Sequence, residues 1–228
     1  EISSTPKLRL GERLVLGNRT FVYCKAGSNA LSAGLLVASP ATLTSEDTVT
    51  VAHPIGTTKV KVTAAGVTAN QWAEGLLVVD EGTGAGDQYL IKSNEAITSG
   101  STGTVTIYQP GLVTAWDTSD TDITLYTNLF YGVQVANTDQ KEFALGVPLI
   151  DVTSGYYFWL QTYGVGCVLF DEATGNAAGE RLMAIGSATT GAVEAYDGAG
   201  EEIVGHAILD GADYEDAKYQ PIFLTCVA

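Results

Sequence analysis

Eight consecutive residues, Tyr156 to Tyr163 (YYFWLQTY), constrain this chain more than any others. Side chains of an extended strand alternate between its two faces. Tyr156, Phe158, Leu160 and Thr162 therefore fall on one side, and Tyr157, Trp159, Gln161 and Tyr163 on the other. Ser154-Gly155 and Gly164 supply the turn residues that begin and end such a strand. Both faces are bulky, so the strand has to be covered twice. One cover is a barrel or sandwich core, and the other is a second sheet or a neighbouring subunit.

The rest of the chain repeats short strand signals. Thr20–Lys25, Leu35–Val37, Val49–Val51, Lys59–Thr63, Gly75–Asp80, Tyr89–Ile91, Gly103–Tyr108, Asp122–Tyr126 and Tyr131–Val135 precede the aromatic stretch. Arg181–Ile185, Ala192–Tyr196, Ile203–Leu209 and Ile222–Val227 follow it. Turn residues recur about every eight to twelve positions, the texture of a small barrel or sandwich. Only Thr68–Glu74 (TANQWAE) offers a short helix, with Thr68 or Asn70 as its cap. The expected fold class is all-β: a small β-barrel or sandwich core, an inserted small β module and an extended N-terminal arm. A polar turn, small residues, a glycine and an apolar run recur at 29–37, 70–78 and 175–183. That recurrence suggests core parts at 20–52 and 129–228, the module at 53–128 and the arm at 1–19. Two consecutive domains meeting near Ala144 are the alternative.

Charge is unevenly placed. The formal net charge is −15. Residues 1–25 hold Lys7, Arg9, Arg13, Arg19 and Lys25 against Glu1 and Glu12, so the acidic excess lies in the remainder. An acidic body repels nucleic acid and anionic lipid, and five dispersed cations are too few for a nucleic-acid tail. No apolar run approaches the ~18 residues of a membrane helix, and no signal peptide is visible. The chain opens on Glu1, so an initiator methionine or longer leader is expected to have been removed or left out. Three widely spaced cysteines, Cys24, Cys167 and Cys226, read as inert thiols.

Chemistry-bearing motifs are sparse. His53 and His206 are the only histidines, and no cysteine lies at zinc-ligand spacing from either. Gly82-Thr83-Gly84-Ala85-Gly86-Asp87 lacks the Lys-Ser/Thr of a phosphate loop and reads as a hairpin turn. Asp117, Asp120 and Asp122 crowd three carboxylates into one loop, yet the glycine and final glutamate of a calcium hand are missing. The acidic pairs Asp80/Glu81, Asp171/Glu172 and Glu201/Glu202 put neighbours on opposite strand faces, which does not make a glycosidase dyad. No serine stands in a G-x-S-x-G elbow, and Asn18-Arg19-Thr20 forms a glycosylation sequon without a secretory signal. No catalytic, cofactor-binding or metal residue is assigned, and no enzyme activity is expected.

Several phrases together resemble a family of structural proteins of tailed bacteriophages, especially marine ones, that decorate the capsid. They are Leu16–Tyr23 with Ala30–Leu36, Thr68–Asp80, Gly84–Ser93, Gly155–Gly166 and Gly191–Ala195, within a resemblance that covers most of residues 8–228. The resemblance implies a virion protein on the capsid surface, with the major capsid or another head protein as partner and self-association favouring a trimer. It implies neither nucleic acid, membrane nor cofactor. A tail- or fibre-associated protein that binds or cleaves glycans is the alternative. The residues expected at interfaces are Lys7, Leu8, Arg9, Leu10 and Arg13 of the arm, which alternate charge with leucine, and Tyr157, Trp159 and Tyr163 of the aromatic strand.

Overall fold

The computed structural model describes residues 1–40, 44–64, 66–139, 142–171, 182–196, 198, 201–209 and 214–227. All regular structure among them is strand. In chain order these are β1 (Arg13–Leu16), β2 (Arg19–Ala26), β3 (Val37–Ala38), β4 (Thr44–Val49), β5 (Lys59–Ala64), β6 (Leu76–Glu81), β7 (Gln88–Asn94) and β8 (Ser101–Ile107). They continue with β9 (Asp122–Tyr126), β10 (Tyr131–Val135), β11 (Ala144–Pro148), β12 (Tyr157–Leu169), β13 (Leu182–Ile185), β14 (Val193–Ala195), β15 (Ile203–Ala207) and β16 (Tyr219–Thr225). The fold is all-β with two sheets, one mixed and one antiparallel. The chain forms two compact units, one from Glu1–Ala41 with Phe130–Ala228 and one from Thr42–Leu129.

In the Thr42–Leu129 unit, β5 shows why the sequence forms strands. Val60 and Val62 are buried while Lys59 and Lys61 point outward, the period-2 pattern of a half-buried strand. Six strands pair in the cyclic order β4-β5-β8-β7-β6-β9, and β9 returns to β4, so no edge is left open. Leu77, Val79, Ile91, Val105, Ile123 and Leu125 fill the interior. Each such side chain contributes roughly 1.5–3 kcal/mol on burial.

Two expectations are corrected here. The unit begins at Thr42 and not at residue 53, because β4 pairs with β5 and β9. Residues 68–74 form successive turns and no helix. Asn70 and Glu74 adopt left-handed backbone (φ 60° and 61°), which interrupts any helical ladder. Trp72 is buried within those turns, its N–H donating to Asn94 Oδ1 at 2.9 Å.

The other unit is a ten-stranded sheet, β1-β2-β10-β3-β11-β12-β16-β15-β13-β14, with an added β2–β12 pairing. That pairing makes a ring of partners running β2-β10-β3-β11-β12 and back to β2. β2 and β10 are parallel. The aromatic strand is longer than its sequence signals implied. β12 runs through Gly164 (φ 89°) for 13 residues, with a bulge between Gln161 and Tyr163. Its first half pairs with β2 and its second half with β16. Gly164 is needed there because a side chain would press on the Asn18 carbonyl. Phe158, Leu160, Thr162 and Val168 are buried, whereas Tyr157, Trp159 and Tyr163 remain half-buried.

The N-terminal stretch does not stand free. β1 and β2 form a hairpin about the two-residue turn Gly17-Asn18, with Leu16 opposite Arg19. Upstream, Ser3 makes an antiparallel bridge with Tyr157.

Candidate interaction site

The half-buried face of β12 is completed by β2. Cross-strand register sets Tyr157 opposite Lys25 and Trp159 opposite Tyr23. The rings follow from that register: Tyr23 stacks on Tyr157 at 5.9 Å and 14°, and meets Trp159 edge-on at 5.3 Å and 64°. Lys25 Nζ lies 4.3 Å from the Tyr131 ring centroid and donates to Tyr131 Oη at 3.1 Å. Burial raises the Tyr157 hydroxyl above its ordinary pKa, and the Lys25 charge offsets this only in part.

Residues 1–8 cross this face. Ser3 N–H donates to the Tyr157 carbonyl at 3.0 Å, and Tyr157 N–H donates back to Ser3 O at 2.8 Å. Lys7 N–H donates to Tyr23 Oη at 3.0 Å. A hollow of about 100 Å³ remains between the segment and the rings, lined by Ser3, Lys7, Leu8, Tyr23, Tyr157 and Trp159. The segment is otherwise exposed, Leu8 at 46%.

Of the residues singled out in the sequence, Lys7, Leu8, Tyr157 and Trp159 therefore meet at one place. Arg9 and Leu10 lie in the turn that follows, where Glu12 N–H donates to Arg9 O at 3.2 Å. Arg13 belongs to β1, which ends the strand order. Tyr163 packs edge-on against Phe223 at 5.1 Å. Tyr23, Lys25 and Tyr131 were not singled out. Alternation in Thr20–Lys25 places Phe21, Tyr23 and Lys25 on one face, a usable signal once β2 is known to pair with β12.

The other marked residues have structural neighbours. The glycine loop and the aspartate loop pack together, Thr83 Oγ1 donating to Asp120 Oδ2 at 2.8 Å. Asp117 accepts the Ser119 N–H at 2.9 Å, and bonds from Ser119 hold its carboxyl below its ordinary pKa. His53 is buried beside Trp116 and accepts the Lys61 N–H at Nε2, 3.0 Å, while His206 lies exposed on β15 of the other unit. Asp171 is buried and accepts the N–H groups of Ala188 and Thr189; its neighbour Glu172 and most of the third sequence repeat lie outside the described residues. Cys24 and Cys226 donate to the carbonyls of Val22 and Val204. Cys167 is exposed and helps line an apolar hollow of about 250 Å³ with Gly34, Leu149 and Tyr219. Among the described residues, no group of three or more His, Cys, Asp or Glu side chains is placed to hold a metal ion.

Comparison of the chain with protein-family models, curated proteins and solved structures gives no match.

The aromatic face can recognise a partner through ring contact, apolar burial and backbone pairing along the β12 edge. It brings together the groups that dominate protein interfaces, Tyr and Trp beside a cation.

Proposed function

We propose that this chain is a structural protein of a phage particle that decorates or cements the capsid surface through protein–protein contacts. The observation that carries this reading is the face on which half-buried Tyr157 and Trp159 pack against buried Tyr23, with the basic N-terminal region beside it. Such a face is more apolar than a solvated sheet surface requires. Positive charge beside it favours docking to an acidic partner by steering and specificity.

In this reading the ring of β2, β10, β3, β11 and β12 belongs to a barrel-like core. Residues 42–129 are a module inserted into one of its loops, and the arm expected at 1–19 is narrowed to residues 1–12, because Arg13–Leu16 pair with β2. The partner is the major capsid protein or another head protein, and the decorating species is a homo-oligomer, with a trimer favoured. That number follows from the family resemblance and from the three-fold positions of capsid lattices.

The test is occupancy on purified, undecorated particles. Deleting residues 1–8 leaves the β1–β2 hairpin in place and is expected to lower occupancy, while Arg9→Gln with Arg13→Gln is expected to flatten its dependence on salt. Full occupancy with unchanged salt dependence would remove the arm from docking. Trp159→Ala in the full-length chain should weaken binding at least tenfold, the behaviour of an interface hot spot. A variant that folds and binds like the parent would overturn the assignment of the aromatic face.

A further inference from the structure

Residues 1–8 are attached to the rest of their unit in a way that permits exchange. Its hydrogen bonds to the aromatic strands include the two backbone bonds between Ser3 and Tyr157 and the bond from Lys7 N–H to Tyr23 Oη. Residues 4–9 are exposed throughout, and Ile2 and Leu8 keep much of their apolar surface in solvent. A turn at Arg9–Glu12 then joins the segment to β1, with Gly11 in left-handed backbone (φ 85°) and its N–H donating to Tyr23 O. The segment is thus a discrete piece, seated on a defined surface and linked by a hinge-like turn.

We infer that residues 1–8 exchange between copies: in the assembled protein, the Tyr157 edge and the Tyr23–Tyr157–Trp159 face of one chain receive residues 1–8 of a second chain. This rests on the self-association proposed above and names the contact that carries it. The occupant is specified by the structure, since the surface is already complementary to that segment and an identical copy makes identical bonds. Exchange of an identical element is a low-cost route to an oligomer, because nothing made within one chain is lost between two. Charge favours the same occupant. Residues 1–8 contain one acid, Glu1, and one base, Lys7, and Arg9 and Arg13 follow, in a chain of net charge −15. This segment can approach a second body without the repulsion that opposes contact between two acidic surfaces. Residues 4–10, which precede the turn fixed to Tyr23, can span about 23 Å when extended. A particle surface holds copies at high local concentration, which favours exchange over closure within one chain.

Ser3 and Tyr157 lie directly opposite, so a cysteine pair there reports which chain supplies the segment. The protein to use is the full chain with Cys167→Ser, which removes the exposed thiol. Burial pushes the Cys24 thiol well above its ordinary pKa and that of Cys226 up to about 12, so neither competes as a thiolate. With Ser3→Cys and Tyr157→Cys added, oxidation at high protein concentration is expected to give non-reducing bands at two or more times the 23.8 kDa chain mass. Light scattering of the Cys167→Ser parent is read in parallel. An oligomeric parent whose disulfides all close within single chains overturns exchange and leaves self-association standing. A monomeric parent at high concentration overturns both. Should the cysteine pair fail to form or to fold, deletion of residues 1–8 decides. Collapse of the scattering mass to a single chain supports exchange, and an unchanged oligomer overturns it.

Discussion

The carbonyl of Asp120 occupies the space in which a side chain at residue 82 would begin, so a Cβ built on Gly82 overlaps it. Gly82 also has φ 78°. Close approach and left-handed backbone together account for glycine at this point, where two surface loops lock together. Gly82→Ala is expected to cost about 3 kcal/mol, combining overpacking and backbone strain. For a unit of this size that lowers the melting temperature by more than about 10 °C. Gly86→Ala is the control. Its φ is 94°, but nothing lies within 4 Å of the added carbon, so only the conformational cost of about 1 kcal/mol applies. Equal losses in calorimetry would show that the Gly82–Asp120 packing carries no weight.

His53 makes the Thr42–Leu129 unit sensitive to acid. Burial holds its pKa below the ordinary value of 6.5. The Lys61 N–H donating into Nε2 also requires the neutral ring. A lowered folded pKa means that the unfolded chain binds more protons in the window between the two values. Stability is therefore full above about pH 6.5 and falls as the pH drops through the folded pKa. Thermal melts between pH 7.5 and 5 should show the decline, and His53→Gln should flatten it. A His53→Gln variant with the parent's slope would sink this account.

Glu202 acts with the opposite sign in the other unit. Its Oε2 accepts the Ala144 N–H at 2.8 Å, yet burial raises its pKa above the ordinary carboxylate value despite that bond. The folded chain then holds the proton more tightly, so this contribution to stability is present below the unfolded pKa of about 4.3 and is lost as the pH rises through the folded one. Glu202→Gln keeps an acceptor for Ala144 without the charge. At pH 7 it should match or exceed the parent in urea midpoint, and a clear drop would count against the burial argument.

Tyr23→Phe removes the acceptor for the Lys7 N–H and leaves the ring stack intact. Losing a bond worth about 1 kcal/mol should speed amide exchange in residues 1–8 roughly fivefold, with little change in β12. Hydrogen exchange read by mass spectrometry resolves the two. Unchanged exchange in the segment would mean that the Ser3 bridge alone holds it.

What could be read ahead of the structure was local. The alternation in Lys59–Thr63 announces β5 because one face meets a core and the other meets water. Pairings across long sequence separations, such as β5 with β8 and β6 with β9, leave no comparable mark, and so β4 was allotted to the wrong unit. Thr68–Glu74 looked helical because its composition allows a helix, while the decisive fact, Trp72 fixed by Asn94, lies 22 residues away. Gly164 looks like a strand end because glycine usually ends one, but here its pairing with Leu224 of β16 carries the strand through it. For the interaction site, the bulk of Tyr157 and Trp159 was visible at once. The cover over them was not, since the bridge from Ser3 depends on a register the sequence does not state.

The pairing of β4 with β9 has a mechanical consequence. Thr44, at the start of the six-stranded cycle, lies opposite Tyr126 at its end. The chain enters and leaves this unit side by side, so tension along the backbone would peel β4 from β9 one bond at a time instead of loading the whole ladder in shear. A unit sealed against edge pairing would then yield to modest force at its doorway. In single-molecule pulling of the isolated Thr42–Leu129 segment by its two ends, release of the contour length of about 88 residues, roughly 300 Å, should come at low force. A high-force first event of that length would rule out unzipping.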